Sequence, residues 1–528
     1  MPGRVVAQWD KEDCEDLGII KVDLLGLGMM SVLQDTVELT SQRGRPIDLA
    51  QLPQDDPRTF EMMQVADTIG VFQIESRAQM ATLPRLKPNC FYDVVIQVAI
   101  IRPGPIQGRL MHPYLARRKQ VEQGADPESF PCYHEQLRSV LARTLGVPLF
   151  QEQMLQMAMV MADFSGAEAE ELRRALSFHR SQERMELAII KLRAAMERQG
   201  HPKTLIDGIA KTVNSFALYG FPESHAISFA HLAYASSYLK VHRAPEFFAS
   251  LLNNQPMGFY SAATLIKDGQ RHGVKFRPVC VEQSDEACTI EADDSIRLGF
   301  RMVKTFSHSG AQRLLRERKT KPFTSLENLR QRVGLNKHEL RVLAEVGALN
   351  CFTRHRRGAL WEIEREMREG DLFERPAITE SRAGQLSPLP RMTYPERIQA
   401  DFAGLDLTTG QHPMALLRSQ LPDVQRATDL PNVPNGKRVR IAGNVICRQR
   451  PGTAKGFVFI SLEDETGISN AIVTPPMFEA NRLVITEESF LMIEGQLQHM
   501  DNVIHVKADR IERLKHGSLI GAASYDFH

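Results

Sequence analysis

Between about residue 60 and residue 255, apolar side chains recur at the three-and-four spacing of one helix face, as in Gln153–Met161 and Phe229–Ala235. That period predicts a large α-helical domain. Inside it, Ser165 and Glu168 have the spacing of a capping box. The helix they open carries Leu172, Ala175 and Leu176 on one stripe and Arg173, Ser177, Arg180 and Arg184 on another face. Upstream, Gly18–Gly26 is a short β-prone run with Asp23 inside it, followed by a helix starting near Gly28 or Ser31. Such a segment is too short to form a core, so it is expected to complete a sheet whose other strands lie elsewhere, and nothing later in the chain looks like them.

From about 256 to 300 the period shortens, with β-prone pieces at Val274–Phe276 and Ile296–Phe300. Three short helices are then predicted: Ser309–Arg318, Thr324–Val333 with Glu327 completing a capping box, and Asn336–Val346 with Glu339 doing the same. Compact helical hairpins of this size often offer backbone amides to a phosphate. A stretch with Pro376, Pro388 and Pro390 reads as a linker. From Lys437 onward the alternation has period two, with strands at Val439–Val445, Phe457–Leu462, Ile468–Val473, Phe490–Glu494 and Val503–Val506 and a helical insert at 476–486. Five short strands with that insert predict an OB-type barrel.

Composition narrows the function classes. The 528 residues are 43% apolar and 24% charged, enough for three or four soluble domains and unlike a disordered tail. Lysine and arginine number 65 against 64 acids, a net charge of +1, so any contact with nucleic acid must rest on local basic faces. The seven cysteines are scattered without a C-x-x-C pair, which argues against a disulfide frame or a zinc site and suits reduced thiols in cytoplasm. No run approaches the ~18 apolar residues of a membrane span, and the acidic N-terminus is not that of a signal peptide.

Lys21–Leu27 resembles the third-aspartate motif of the bacterial DNA polymerase III alpha-subunit family. The resemblance continues in order through Gly70–Arg77, Ile101–Pro105, Phe150–Gln153, Leu172–Ala175 and Tyr219–His225. It implies nucleotidyl transfer from deoxynucleoside triphosphates to a primer 3′-hydroxyl on a DNA primer-template, with two Mg²⁺ ions held by aspartates. Asp23 is the catalytic and metal-holding carboxylate so implied, and Lys21, on the same face of a strand, could reach a phosphate or the primer terminus. The family's Asp-x-Asp pair and its amino-terminal PHP domain have no counterpart here, so the chain alone is expected to be catalytically deficient.

The same resemblance points Arg173 and Arg174 at the incoming triphosphate, a task for forked guanidinium donors, and places Arg102 near the cleft on a rigid Pro-Gly-Pro turn. Without it, a solvated helix face and structural packing would be the readings. His225 is given no catalytic role. In the hairpin, Val303–Gly310 lacks the family's Gly-x-Gly, so Lys304 or Ser309 is expected to substitute in non-specific, salt-sensitive DNA contact. Glu369–Phe373 resembles a clamp-binding peptide in which Leu372 and Phe373 would plug a pocket on the sliding clamp, against the plainer reading of an amphipathic helix end. Arg438, Arg440, Arg448, Arg450 and Lys455 near Phe457 combine charge with a stacking platform for single-stranded template, although OB folds also bind proteins.

The expected architecture is multidomain α+β: the C-terminal piece of a palm at 1–50, helical fingers at 51–255, a linking module and helix-hairpin-helix-like domain at 256–365, a linker with the clamp peptide at 366–436, the OB-fold at 437–514 and a tail at 515–528. The chain's stop after the barrel and the segment Asp406–Pro413 resemble the error-prone, damage-induced branch active in translesion synthesis, where other mutagenesis proteins are possible partners and a membrane is not. Two alternatives stand beside it: a non-catalytic DNA- and clamp-binding remnant, and a fragment of a replicative alpha subunit.

Overall fold

A computed structural model describes residues 9, 11–20, 24–101, 111–177, 182–217, 221–364, 387–451, 454–500, 503–514, 521, 524 and 526. Lys21, Asp23, Arg102, Leu372 and Phe373 lie outside these residues.

Of the expected opening strand, residues 21–23 lie outside the described residues. Lys11–Asp16 is a short helix (α1), Gly18 is left-handed, and a turn at Leu25–Gly26 leads into α2 (Leu27–Gln42). Gly26 has φ 83°, and a Cβ there would stand 3.2 Å from the Phe72 ring, so glycine is what lets the chain enter α2 beside that ring. A β-prone run needs a partner strand, and this one has none among the described residues.

The helical domain follows as α3 (Pro57–Gln64), α4 (Arg77–Leu86), α5 (Phe91–Ile100), α6 (Met111–Glu122), α7 (Arg138–Leu141), α8 (Gln151–Ala162), α9 (Gly166–Ser177), α10 (Gln182–Arg198), α11 (Lys203–Ala217), α12 (Glu223–His242), α13 (Ala244–Asn253) and α14 (Ala262–Arg271). At 20 residues, α12 is the axle, about 30 Å long at 1.5 Å per residue. Its buried positions are mostly small, Ala226, Ala230, Ala233, Ala235, Ser236 and Ser237, which lets it lie close to the apolar face of α5. A separate core holds α8–α11 together through Met154, Met157, Met161, Leu172, Leu192 and Val213. The box at Ser165–Glu168 forms, with the Ser165 N–H donating to Glu168 at 2.9 Å and the Glu168 N–H to Ser165 Oγ at 3.3 Å.

A three-stranded sheet in the order β1 (Phe276–Arg277), β3 (Ile296–Arg297), β2 (Thr289–Ile290) precedes the hairpin helices α15 (His308–Thr320), α16 (Leu326–Val333), α17 (Lys337–Glu345) and α18 (Arg356–Glu364). The Asn336–Glu339 box forms, but α16 is capped by Ser325, whose hydroxyl accepts from the Asn328 N–H, rather than by Thr324 with Glu327. The stretch read as linker is largely packed from Tyr394 onward: α19 (Tyr394–Leu405) and α20 (Pro413–Leu417) bury Phe402, Leu405, Leu407 and Met414 in the core shared with α13, α14 and α17.

The last module is a closed barrel in the order β4 (Arg438–Gln449), β5 (Val458–Glu463), β6 (Ile468–Val473), β8 (Val503–Arg513), β7 (Phe490–Met500), with α21 (Pro475–Ala480) and α22 (Arg482–Glu487) as the insert. Val439, Ile441, Val445, Leu462, Ile493 and Val506 fill its interior. A second face, with Ala442, Ile446 and Phe490, joins the core of the helical domain. Helical, hairpin and barrel modules are thus present as expected.

Candidate nucleic-acid interface

On α9, Leu172 and Ala175 point into the core, so the helix period turns Arg173 and Arg174 outward, and both are exposed. Arg173 makes a forked pair with Glu170, Nε at 2.8 Å and Nη2 at 2.7 Å, and Arg174 Nε lies 3.4 Å from the same carboxylate. The hydrogen bond from Arg173 leads the causes that hold the Glu170 carboxyl down to about 2. Two guanidiniums thus converge on one carboxylate at the surface of α9.

The helical domain also gathers a cluster that periodicity could not reveal. Tyr92 on α5 donates to Glu223 on α12 at 2.6 Å, and the Arg143 guanidinium lies 3.8 Å over the Tyr92 ring and 3.8 Å from Glu223. Burial and the Glu223 carboxylate push the Tyr92 phenol up. Phe150–Gln153 meets Phe221–His225 here: the Gln151 N–H donates to the Phe221 carbonyl at 3.0 Å and the Glu223 N–H to Glu152 at 2.8 Å. The signal was present in the two quoted segments, but not the fact that they touch. His225 packs between Phe221 and Phe229, centroids 5.2 and 4.1 Å away.

In the hairpin, Lys304 pairs with Asp406, and its backbone N–H donates to the Gly404 carbonyl at 2.8 Å. Thr305 takes the left-handed turn at φ 57°. Ser307 then caps α15: its hydroxyl accepts from the Gly310 N–H at 2.9 Å and donates to Glu339 at 2.6 Å. The helix end that would face a phosphate thus has a carboxylate beside it.

On the barrel, Arg438 and Arg440 both pair with Glu494, at 2.8 and 3.0 Å. Phe457 is 36% exposed, enough to present a ring face. Arg450 stacks over Phe478 at 4.5 Å, whereas Arg448 is turned inward, donating to the Glu488 carbonyl at 2.6 Å. The structure therefore places Arg173 with Arg174, and Arg438 with Arg440, while Lys304 stands apart from both pairs.

Asp67, Asp268 and His272 come close enough to hold a cation, but the position is taken from within the chain. The buried Lys240 ammonium lies 2.8 Å from Asp268 and 3.2 Å from Asp67, and His272 Nε2 lies 2.6 Å from Asp67. An ammonium among the ligands and a nitrogen donor in the set do not fit a hard oxygen-seeking ion such as magnesium.

The fold thus joins a helical bundle with outward paired arginines to a helical hairpin and an OB-type barrel. Residues 29–200 match the bacterial DNA polymerase III alpha subunit finger domain, residues 273–359 a helix-hairpin-helix motif, and residues 439–514 an OB-fold nucleic acid binding domain. The chain thus carries the finger domain of the bacterial DNA polymerase III alpha subunit, with hairpin and OB-fold domains after it. It is 44% identical to a protein of Azoarcus sp. (strain BH72) over 100% of this chain and 50% of that one, and 42% identical to one of Aromatoleum aromaticum over 99% and 50%. A protein of Alkalilimnicola ehrlichii is 43% identical over 100% of this chain and 51% of its own length. All three are named error-prone DNA polymerase. The chain spans about half the length of these relatives. Among the described residues no helix is long and apolar enough to cross a membrane.

Proposed function

We propose that this chain is the finger, hairpin and barrel portion of an error-prone DNA-directed DNA polymerase that extends a primer 3′-hydroxyl with deoxynucleoside triphosphates, as in translesion synthesis after DNA damage. The observation that carries the reading is the alignment of the whole chain with proteins of that name. In it, Arg173 and Arg174 bind the triphosphate of the incoming nucleotide, exchanging part of their contact with Glu170 for phosphate oxygens. Arg102 and Lys21 add phosphate contacts, and Lys304, Arg438, Arg440 and Phe457 hold DNA. Asp23 is the carboxylate offered to a divalent metal, taken as Mg²⁺, which when bound neutralises phosphate charge. Leu372 and Phe373 are read as the clamp-binding pair. The cytoplasm suits seven free thiols.

Primer extension by the purified chain with Mg²⁺ and all four nucleotides, beside Asp23→Ala and DNA binding at two salt concentrations, tests this. Salt-sensitive DNA binding without extension is the expected result. Extension abolished by Asp23→Ala would overturn the expected deficiency of the chain alone, and no DNA binding would overturn the reading itself.

A further inference from the structure

The seam between the barrel and the helical domain contains a cleft of about 400 Å³. Arg77, the first residue of α4, lines one wall, and Ser461 of β5, Asn470 of β6 and His505 of β8 line the other. In the barrel's order β5 and β6 are the second and third strands, the face on which OB folds ordinarily carry an oligonucleotide. Here that face is roofed by α4 rather than open, so anything held on it is held between two modules.

The charges in this seam are unevenly paired. Asp67 and Asp268 lie against Lys240, and Glu463 against Arg271 at 2.5 Å. Two further cations have no such partner. Among the described residues no carboxylate pairs with Arg77, whose polar contact is Ser461 Oγ at 3.4 Å. Arg85, at the other end of α4, has its Nε buried without a partner, as has His505 at Nδ1. Burial draws the Arg77 guanidinium down to about 10, and burial followed by the charges of Arg77 and Arg85 pushes His505 down to about 4. A half-buried guanidinium without an ion pair, beside the buried, unpartnered nitrogens of Arg85 and His505, is a seat for an anion.

We propose that Arg77 and His505 form a phosphate subsite in this seam, with Arg85 as the charge behind them, and that the phosphate belongs to single-stranded DNA following the β5–β6 face. Only the identity of the strand rests on the polymerase reading; the anion site does not. A guanidinium offers forked donors to a phosphodiester, and Ser461 and Asn470 supply neutral hydrogen bonds beside it.

The test uses the full chain and a short fluorescent oligo(dT), titrated at several salt concentrations, with inorganic pyrophosphate as competitor. Arg77→Gln and the Arg77→Gln/Arg85→Gln double variant are compared with the unaltered chain, each with a thermal melt. The expected result for Arg77→Gln is an affinity loss of about ten-fold and a slope of log affinity against log salt shallower by about 0.7 per lost phosphate contact. Its melting temperature should be unchanged or raised, because no ion pair among the described residues is lost with it. Bound oligonucleotide should also raise the pH at which the His505 imidazole titrates by NMR. Unchanged affinity, or a loss that comes with a lowered melting temperature, would make Arg77 a tie between modules and overturn the subsite. Displacement of the oligonucleotide by pyrophosphate from the unaltered chain but not from the double variant is the expected sign that both share the site, whereas pyrophosphate bound through Arg77 without displacing the oligonucleotide would keep the anion site and overturn the strand as its occupant. A chain that binds pyrophosphate through Arg77 but no oligonucleotide would sink the DNA-holding reading and leave the anion site standing.

Discussion

Glu75 sits at the end of Gly70–Arg77, buried, accepting the Gly70 N–H at 2.9 Å and the Phe259 N–H at 3.3 Å. Burial outweighs these bonds and the distant Lys240 charge and raises the carboxyl from 4.5 to about 7. The folded state therefore prefers the protonated acid: its contribution is fully present below about pH 4.5 and is lost as pH rises through about 7. Glu75→Gln should remove that slope, on the order of 3 kcal/mol across the window, when urea denaturation is followed at a series of pH values. None of this was legible in the sequence, where Glu75 is one acid in a family motif. The same holds for Lys240, which reads as an ordinary helix lysine until Asp67 and Asp268, from separate segments, are seen around its ammonium. By contrast Glu170 and Arg173, three apart on one helix, are a pair that helix geometry alone anticipates.

At the scale of elements, the barrel was the most legible part, because a wall with one wet and one dry face writes its period directly into the chain. What alternation missed was extent. β7 and β8 run to Met500 and Arg513, well past the residues that announced them: Leu497, Ala508 and Ile511 carry the buried phase on with wider polar gaps, and the two strands pair along their length. The register shifts between Glu494 and Gly495, and a Cβ on Gly495 would stand 1.9 Å from the Lys507 carbonyl oxygen. Gly495→Ala must therefore open the β7–β8 ladder, and we expect a loss of at least 1–3 kcal/mol, read as a lower denaturant midpoint, with barrel amides near Lys507 exchanging faster.

At the scale of the molecule, the barrel is not a bead on a string. Ala442, Ile446 and Phe490 share a core with Phe72, Leu251 and Phe402, and the Arg271–Glu463 pair crosses the same junction with Glu463 almost wholly buried. Arg271→Met strands that carboxylate, and the expected cost is about 3–5 kcal/mol at neutral pH, smaller in acid as Glu463 protonates. Far-UV circular dichroism and the fluorescence of the two tryptophans, Trp9 and Trp361, should report one shifted transition, whereas separate transitions would mean that the modules unfold independently. Sequence could suggest the modules but not this junction, which depends on which outer face of the barrel is apolar and on a partner 192 residues away. The candidate site divides in the same way: Arg173 and Arg174 were legible through resemblance, while the Tyr92–Glu223–Arg143 cluster, built from three separate segments, was not.

The Ser307 cap joins two helix starts into one latch. Its hydroxyl closes the first turn of α15 and donates to Glu339, the carboxylate that completes the box at the start of α17. One side chain thus keeps the hairpin's two entrances in step, and α15 and α17 are expected to come undone together rather than one after the other.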